Sequence, residues 1–296
     1  MPALIDLRRR IKSVRNTQQI TQAMKTVSTA KFKKAQREVL QARPYWHTFP
    51  DFLREAISLG GRISHPLLER RAEEKALLVI ITSDKGLCGA FNANLMNEAQ
   101  AYYTEKSKDC DLRLVLFGKK AAQQFNRPPY TVERTYTDQI QNLSEEDLKA
   151  LSSFLIQQYV FCRTDAIYVL YNEFKSILAP RIALLKLLPI EMAHEGEDQD
   201  KNEVPAPSGF LPDWEPGASP LLSTLLPKYI EMQFVHFFAE SVAAEHAARM
   251  MAMDNATNNA EDLIEELTLL LNKIRQASIT KELLEIMTAV EALAKK

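Results

Sequence analysis

Hydrophobic positions recur with a helical period at both ends of this chain and gather into short runs in its middle. Leu4, Leu7, Ile11, Val14, Thr17, Ile20, Met24 and Val27 are spaced 3, 4, 3, 3, 3, 4, 3, a helical stripe with one local slip, and Phe32, Ala35, Val39 and Ala42 continue it. Pro44 is placed to kink or end this helix, and the pattern resumes through Phe49, Phe52, Leu53 and Ile57 before Gly60 and Gly61 stop it. At the other end, Ile230, Phe234, Phe237, Ser241, Ala244, Ala248 and Met251 form one stripe. Leu263, Leu267, Leu270, Ile274 and Ala277 form a second, and Ile279, Leu283, Ile286, Val290 and Leu293 a third.

Breakers are distributed to match. All eight glycines lie between Gly60 and Gly217, and neither glycine nor proline occurs in the 69 residues from Lys228 onward or between Ala3 and Arg43. At a rise of 1.5 Å per residue these stretches make rods of roughly 100 Å and roughly 60 Å, lengths typical of a coiled coil or shaft. Two rods leaving one domain run antiparallel if they pair. The longer one then ends in a tip with an apolar stripe that needs a partner to cover it.

Between the rods, strand and helix signals alternate. Ala76–Thr82, Leu112–Phe117, Ala166–Tyr171 and Ile182–Leu188 read as strands, and Ser144 followed by Glu145, Glu146 and Asp147 starts a helix running to about Phe161. The alternation predicts βαβ units and a mainly parallel sheet. The fold expected is α+β overall: two long terminal helices in an antiparallel coiled coil, with a central Rossmann-like α/β domain. The boundaries expected are 1–58 for the first helix, 59–219 for the middle domain (194–219 an acidic, proline-rich loop) and 220–296 for the last helix with its tip.

Charge divides along the same lines. The net charge of −1 hides a local +9 in residues 1–43 and −4 in residues 228–296. A basic and an acidic helix attract each other or partners of opposite sign. Arg8, Arg9, Arg10, Lys12 and Arg15 could be a nucleic-acid footprint, but no aromatic stacking residue precedes Phe32, and a solvated or acid-facing helix face is the preferred reading. No apolar run approaches the roughly 18 residues of a membrane span, and no signal or transit peptide is read at Met1. Cys88, Cys110 and Cys162 read as reduced thiols, and no disulfide pair is expected.

Catalytic chemistry finds no foothold. Ser83-Asp84-Lys85-Gly86-Leu87-Cys88-Gly89 follows a strand, yet a phosphate loop needs its lysine after the second glycine, and Lys85 precedes Gly86. A tight turn and helix start is preferred, with a flavodoxin-like nucleotide-binding hydrolase kept as the alternative. The five histidines form no HxxxH or HExxH pair, so no metal, cofactor or catalytic residue is expected.

Three segments are more specific: RRRIKSVRNTQQITQAMKTVSTAKFKKAQ, ITSDKGLCGAFNANL and AARMMAMDNATNNAEDLIEELTLLLNKIRQASITKELLEI. In that order and at those distances, the chain resembles the γ subunit of the F-type rotary ATP synthase over essentially its whole length. The resemblance implies a non-catalytic shaft: the coiled coil stands in a ring of α and β subunits, and the middle domain contacts the ε subunit and the c-subunit ring. Proton flow turns the c ring and the shaft, which couples rotation to ATP chemistry on β. It implies α and β contacts at Met24, Lys25, Arg249, Arg275, Gln276, Thr280 and Glu282. The tip residues Ile286, Val290 and Leu293 turn in a sleeve, and Trp214 and Glu215 face the c ring. The implied location is peripheral, on the cytoplasmic face of a bacterial inner membrane. Two departures stand out: Ala289-Val290 where the family usually has Gly-Ala, and Pro227 where a basic residue is usual.

Overall fold

The computed structural model describes residues 2–59, 65–138, 140, 144–176, 181–190 and 218–294. It divides into two compact units, residues 31–248 and residues 1–30 with 249–296. The long terminal helices α1 (Pro2–Leu59) and α5 (Ala218–Ala294) each contribute to both.

In the larger unit, five strands form one sheet: β1 (Lys75–Ile81), β2 (Asp111–Phe117), β3 (Val132–Tyr136), β4 (Ala166–Glu173) and β5 (Arg181–Leu188). Their spatial order is β3-β2-β1-β4-β5, with the first four parallel and β5 antiparallel to β4. β1 is buried along its length after Lys75, so its continuous apolar run is what a strand covered on both faces requires. Leu77, Val79 and Ile81 face one core with α4 (Glu145–Val160) and with Leu222, Leu226, Ile230, Phe234 and Phe237 of α5. Ala76, Leu78 and Ile80 face the other, with α2 (Phe91–Lys106) and α3 (Lys119–Phe125). Phe234 and Phe237 are fully buried, each contributing about 2–3 kcal/mol. The four strands and the α4 helix read from the sequence are all present. The Ser144 hydroxyl accepts from the Asp147 N–H and Asp147 accepts from the Ser144 N–H, a reciprocal cap.

Within this unit α1 lies antiparallel to α5, as the pairing of Trp46 with His236 (4.2 Å between ring centres) and Phe49 with Tyr229 (6.0 Å, nearly parallel) requires. Pro44 does not end α1, which continues to Leu59. Its missing N–H would have served the carbonyl of Leu40, whose side chain is exposed, so the lost bond falls on the solvent side. Pro227 likewise sits inside α5.

In the smaller unit, α1 and α5 also pair antiparallel: Lys25 meets Asp254 and Thr21 meets Thr257. Here the α1 stripe differs from the one read off the apolar residues. Thr17, Ile20 and Val27 are exposed, while Thr21 and Ser28 are buried and Gln18 and Lys25 half-buried. With Leu4, Leu7, Ile11 and Val14 these positions keep an unbroken 3-4 spacing. A paired helix holds its 3.5-residue period, so polar residues occupy the seam where the heptad places them, and the slip disappears. On α5 the seam residues are Met253, Thr257, Ala260, Ile264, Leu267, Leu271 and Ile274, leaving the expected stripe positions Leu270 and Ala277 exposed.

Candidate functional surfaces

Two regions could carry function: the helical surface of the smaller unit and the carboxyl ends of the strands in the larger one. On the helical surface, four of the expected contact residues, Arg275, Gln276, Thr280 and Glu282, are exposed. Their helix already engages some of them. Thr280 Oγ1 donates to the Gln276 carbonyl at 3.0 Å, and Ser278 Oγ reaches Glu282 Oε1 at 3.4 Å. Met24 is half-buried. Arg249 is 7% exposed and engaged within the chain, as a guanidinium taken out of water must be.

Lys25 Nζ lies 2.6 Å from Asp254 Oδ1, joining the helices inside the seam. Next to it Thr257 Oγ1 is 2.8 Å from Thr21 Oγ1 and donates to the Met253 carbonyl at 2.7 Å. These short polar side chains fill the seam less than leucines do, and a groove of about 550 Å³ opens there between Gln18, Gln22, Thr26, Thr257 and Glu261. The Lys25 and Asp254 side chains are each about one third exposed, so solvent screens the pair. A double-mutant cycle of Lys25→Met and Asp254→Leu, followed by urea unfolding, should return a coupling of only about 0.2–1 kcal/mol. A coupling above roughly 2 kcal/mol would mean the pair behaves as a desolvated one.

Beyond Ser278 the described side chains of α5 are all exposed. Leu283, Leu284, Ile286, Met287 and Val290 are each more than half exposed. Of the expected sleeve residues, Ile286 and Val290 are therefore open to solvent, while the Leu293 side chain lies outside the described residues. So do Trp214, Glu215 and residues 194–217 of the acidic stretch.

At the carboxyl ends of the strands, the Ser83–Gly89 turn is wired into its surroundings. Ser83 N–H donates to Asn92 Oδ1 at 3.1 Å, and Asn92 Nδ2 lies 3.1 Å from Cys88 Sγ. Asp84 Oδ1 accepts from the backbone N–H groups of Lys119 and Asp138, both at 3.0 Å. Its polar groups bind its own neighbours, which is the turn-and-helix-start geometry. Alongside it Phe32, Phe91, Phe174, Ala243, Ala244 and Ala247 close into one buried cluster with Cys88.

Cys88 is buried, Cys110 half-buried and Cys162 exposed, all as free thiols. Burial pushes the Cys110 thiol up from its ordinary value. Among the described residues no three His, Cys, Asp or Glu side chains are grouped to hold a metal ion, and no helix is long and apolar enough to cross a membrane. The sequence reading missed Glu240, which is buried with Arg43 and the Phe174 backbone as partners. Nothing local marks it, because those partners lie 197 and 66 positions away.

The sequence pattern of the ATP synthase family matches residues 3–293. The ATP synthase gamma chain of Pelotomaculum thermopropionicum is 43% identical over 293 residues, covering 99% of this chain and all of that one. That of Geobacter metallireducens is 39% identical over 296 residues, covering 99% of both. Among solved structures, a chain of the Euglena gracilis mitochondrial ATP synthase (OSCP/F1/c-ring) superposes with a TM-score of 0.64 at 20% identity, covering 99% of this chain and 95% of that one. A chain of the Tetrahymena thermophila mitochondrial ATP synthase central stalk and c-ring gives 0.61 at 24% identity, covering 80% and 99%. At those identities the structural likeness establishes the fold, long terminal helices with a central, mainly parallel sheet. The sequence likeness, spanning the full length of both relatives, establishes the lineage: the chain belongs to the ATP synthase gamma chain family.

Proposed function

We propose that this chain is the central rotor shaft of an F-type ATP synthase, a non-catalytic subunit that carries proton-driven rotation of a c-subunit ring to the catalytic β subunits. The observation that carries the reading is the end of α5, an unbroken helix whose Leu283, Leu284, Ile286, Met287 and Val290 all face solvent. Such a segment is not stable alone in water. Covering it contributes about 1.5–3 kcal/mol per large apolar side chain, so it calls for a surrounding sleeve. The α and β subunits supply that sleeve, with Met24 as an apolar contact and Arg275, Gln276, Thr280 and Glu282 as polar contacts that re-form at each step. The ε subunit and the c ring meet the sheet domain, where Trp214 and Glu215 are assigned to the c-ring side. The chain acts peripherally, at the cytoplasmic face of a bacterial inner membrane.

The hydrolase alternative is disfavoured by the apolar cluster beside the Ser83–Gly89 turn and by the bonds that tie Asp84 of the turn to the backbone at Lys119 and Asp138. The exposed Arg8–Arg10 face suits acidic protein loops as well as it suits phosphates. The purified chain should hydrolyse no ATP and bind no nucleotide in calorimetry, while mixing it with α and β subunits should give a stable, ATP-hydrolysing complex. An αβ mixture whose assembly and activity ignore the chain would overturn the shaft reading. Steeply salt-dependent DNA or RNA binding would favour the basic helix as a nucleic-acid site instead.

A further inference from the structure

The sheet changes direction between β1 and β4: the chain winds from β1 out to β2 and β3, then returns to place β4 on the other side. In open α/β sheets the crevice outside the carboxyl ends of the strands at such a point is where ligands bind. Here the chain itself occupies it. The Phe32 ring of α1 meets the Phe174 ring edge-on at 5.4 Å, and Ala243, Ala244 and Ala247 of α5 join the same cluster.

The residue just past β4 is gripped from two sides. The Phe174 N–H donates to Glu240 Oε2 at 2.6 Å, and the Phe174 carbonyl accepts from Arg43 Nη2 at 2.7 Å. Arg43 Nη2 also donates to Glu240 Oε1 at 3.3 Å. The three bonds close a ring through α1, the end of β4 and α5. Glu240 is 2% exposed, and His236 Nε2, 3.6 Å from its Oε1, flanks it on the same helix.

We infer that the Arg43–Glu240–Phe174 ring is the torque joint of this chain, fixing the parts of α1 and α5 that lie in the larger unit to the carboxyl edge of the sheet at one angle. The inference rests on the shaft reading. Apolar contacts such as those of Phe234 and Phe237 hold α5 against the sheet, but the hydrophobic effect behind them is itself non-directional. Charge-assisted hydrogen bonds are directional, and here one nitrogen of a planar guanidinium, Arg43 Nη2, meets both the Phe174 carbonyl and Glu240. Arg43 and Glu240 are thus positioning residues for rotation.

The test uses the assembled complex, with the catalytic ring fixed to a surface and a rotation probe on the sheet domain. The readout is the variance of the probe angle during the pauses between steps. Glu240→Gln keeps the shape and removes the charge, while Arg43→Lys keeps the charge and replaces the planar guanidinium with a flexible ammonium. Each weakens one of the two grips on Phe174, so the variance should rise about twofold for Glu240→Gln, and by less for Arg43→Lys, with rotation retained. A merely stabilising role would change yield or heat tolerance without widening the angle. Unchanged variance in both variants overturns the joint. If Glu240→Gln fails to assemble, Arg43→Lys decides alone by the same criterion. A parent complex that hydrolyses ATP without turning the probe would defeat the shaft reading itself, and the joint with it.

Discussion

Alanine at position 118 is expected to cost the sheet domain on the order of 3–5 kcal/mol, near the upper end for one methyl group. Gly118 follows β2 with φ +95°, a backbone conformation open to glycine and strained for any other residue. A Cβ there would also stand 2.6 Å from Thr82 Oγ1, 2.7 Å from the Thr82 carbonyl oxygen and 2.9 Å from that of Ser83. None of these atoms is a free side-chain end. Thr82 Oγ1 donates to the Phe117 carbonyl at 2.9 Å and accepts from the Ala121 N–H at 3.0 Å, while the Ser83 carbonyl accepts from the Lys120 N–H at 3.3 Å. Relief therefore means separating the ends of β1 and β2 or unwinding the start of α3. In a domain of this size such a loss lowers the melting temperature by roughly 8–15 °C, which scanning calorimetry on the purified chain would register. A Gly118→Ala chain melting within about 2 °C of its parent would show that the loop after β1 can yield. The same geometry explains why a glycine-bearing strand-turn segment here is structural: the glycine lets two backbone segments touch.

How much of this was legible follows from where each signal lies. Strands β1, β2 and β4 are buried on both faces, so each had to be an apolar run and could be read as one. β3 (VERTY) escaped because it is an edge strand whose Glu133, Arg134 and Thr135 are exposed, leaving no run to see. The helix pair was visible from its lack of breakers, but the seam at Gln18, Thr21, Lys25 and Ser28 was not. Apolar residues nearby, Ile20 and Val27, drew the stripe off its true phase, and only the partner helix reveals which set is inside. Arg249 reads as a surface cation by type and is buried in fact. The sites of chemistry-bearing residues were thus clear only where the sequence neighbours decide burial, whereas Glu240, Arg43 and Asp254 take their roles from contacts across about 200 residues of chain.

Glu73 provides the second large effect, through pH. It precedes β1 at the amino end of the sheet, opposite the Phe174 ring. It accepts from Lys106 Nζ at 2.7 Å, Lys186 Nζ at 2.9 Å and Tyr168 Oη at 2.8 Å, so one carboxylate ties α2, β4 and β5 together. Burial alone would raise its pKa, but the two ammonium groups and the phenol outweigh that and bring it to about 2 from an ordinary 4.5. Because the folded value lies below the unfolded one, the stabilisation is complete above pH 4.5 and is lost as the pH falls from there toward about 2. Allowing for the quarter of the side chain still in water, the contribution is about 2 kcal/mol. Glu73→Gln should therefore lower the urea-unfolding free energy by about that amount at pH 7, with the gap to the parent narrowing steadily below pH 4.5. Lys106→Met should cost less, since Lys186 remains on the same carboxylate. A gap between parent and Glu73→Gln that stays constant from pH 7 to pH 3 would locate the loss in side-chain packing, and the three elements would then be joined by shape alone and not by charge.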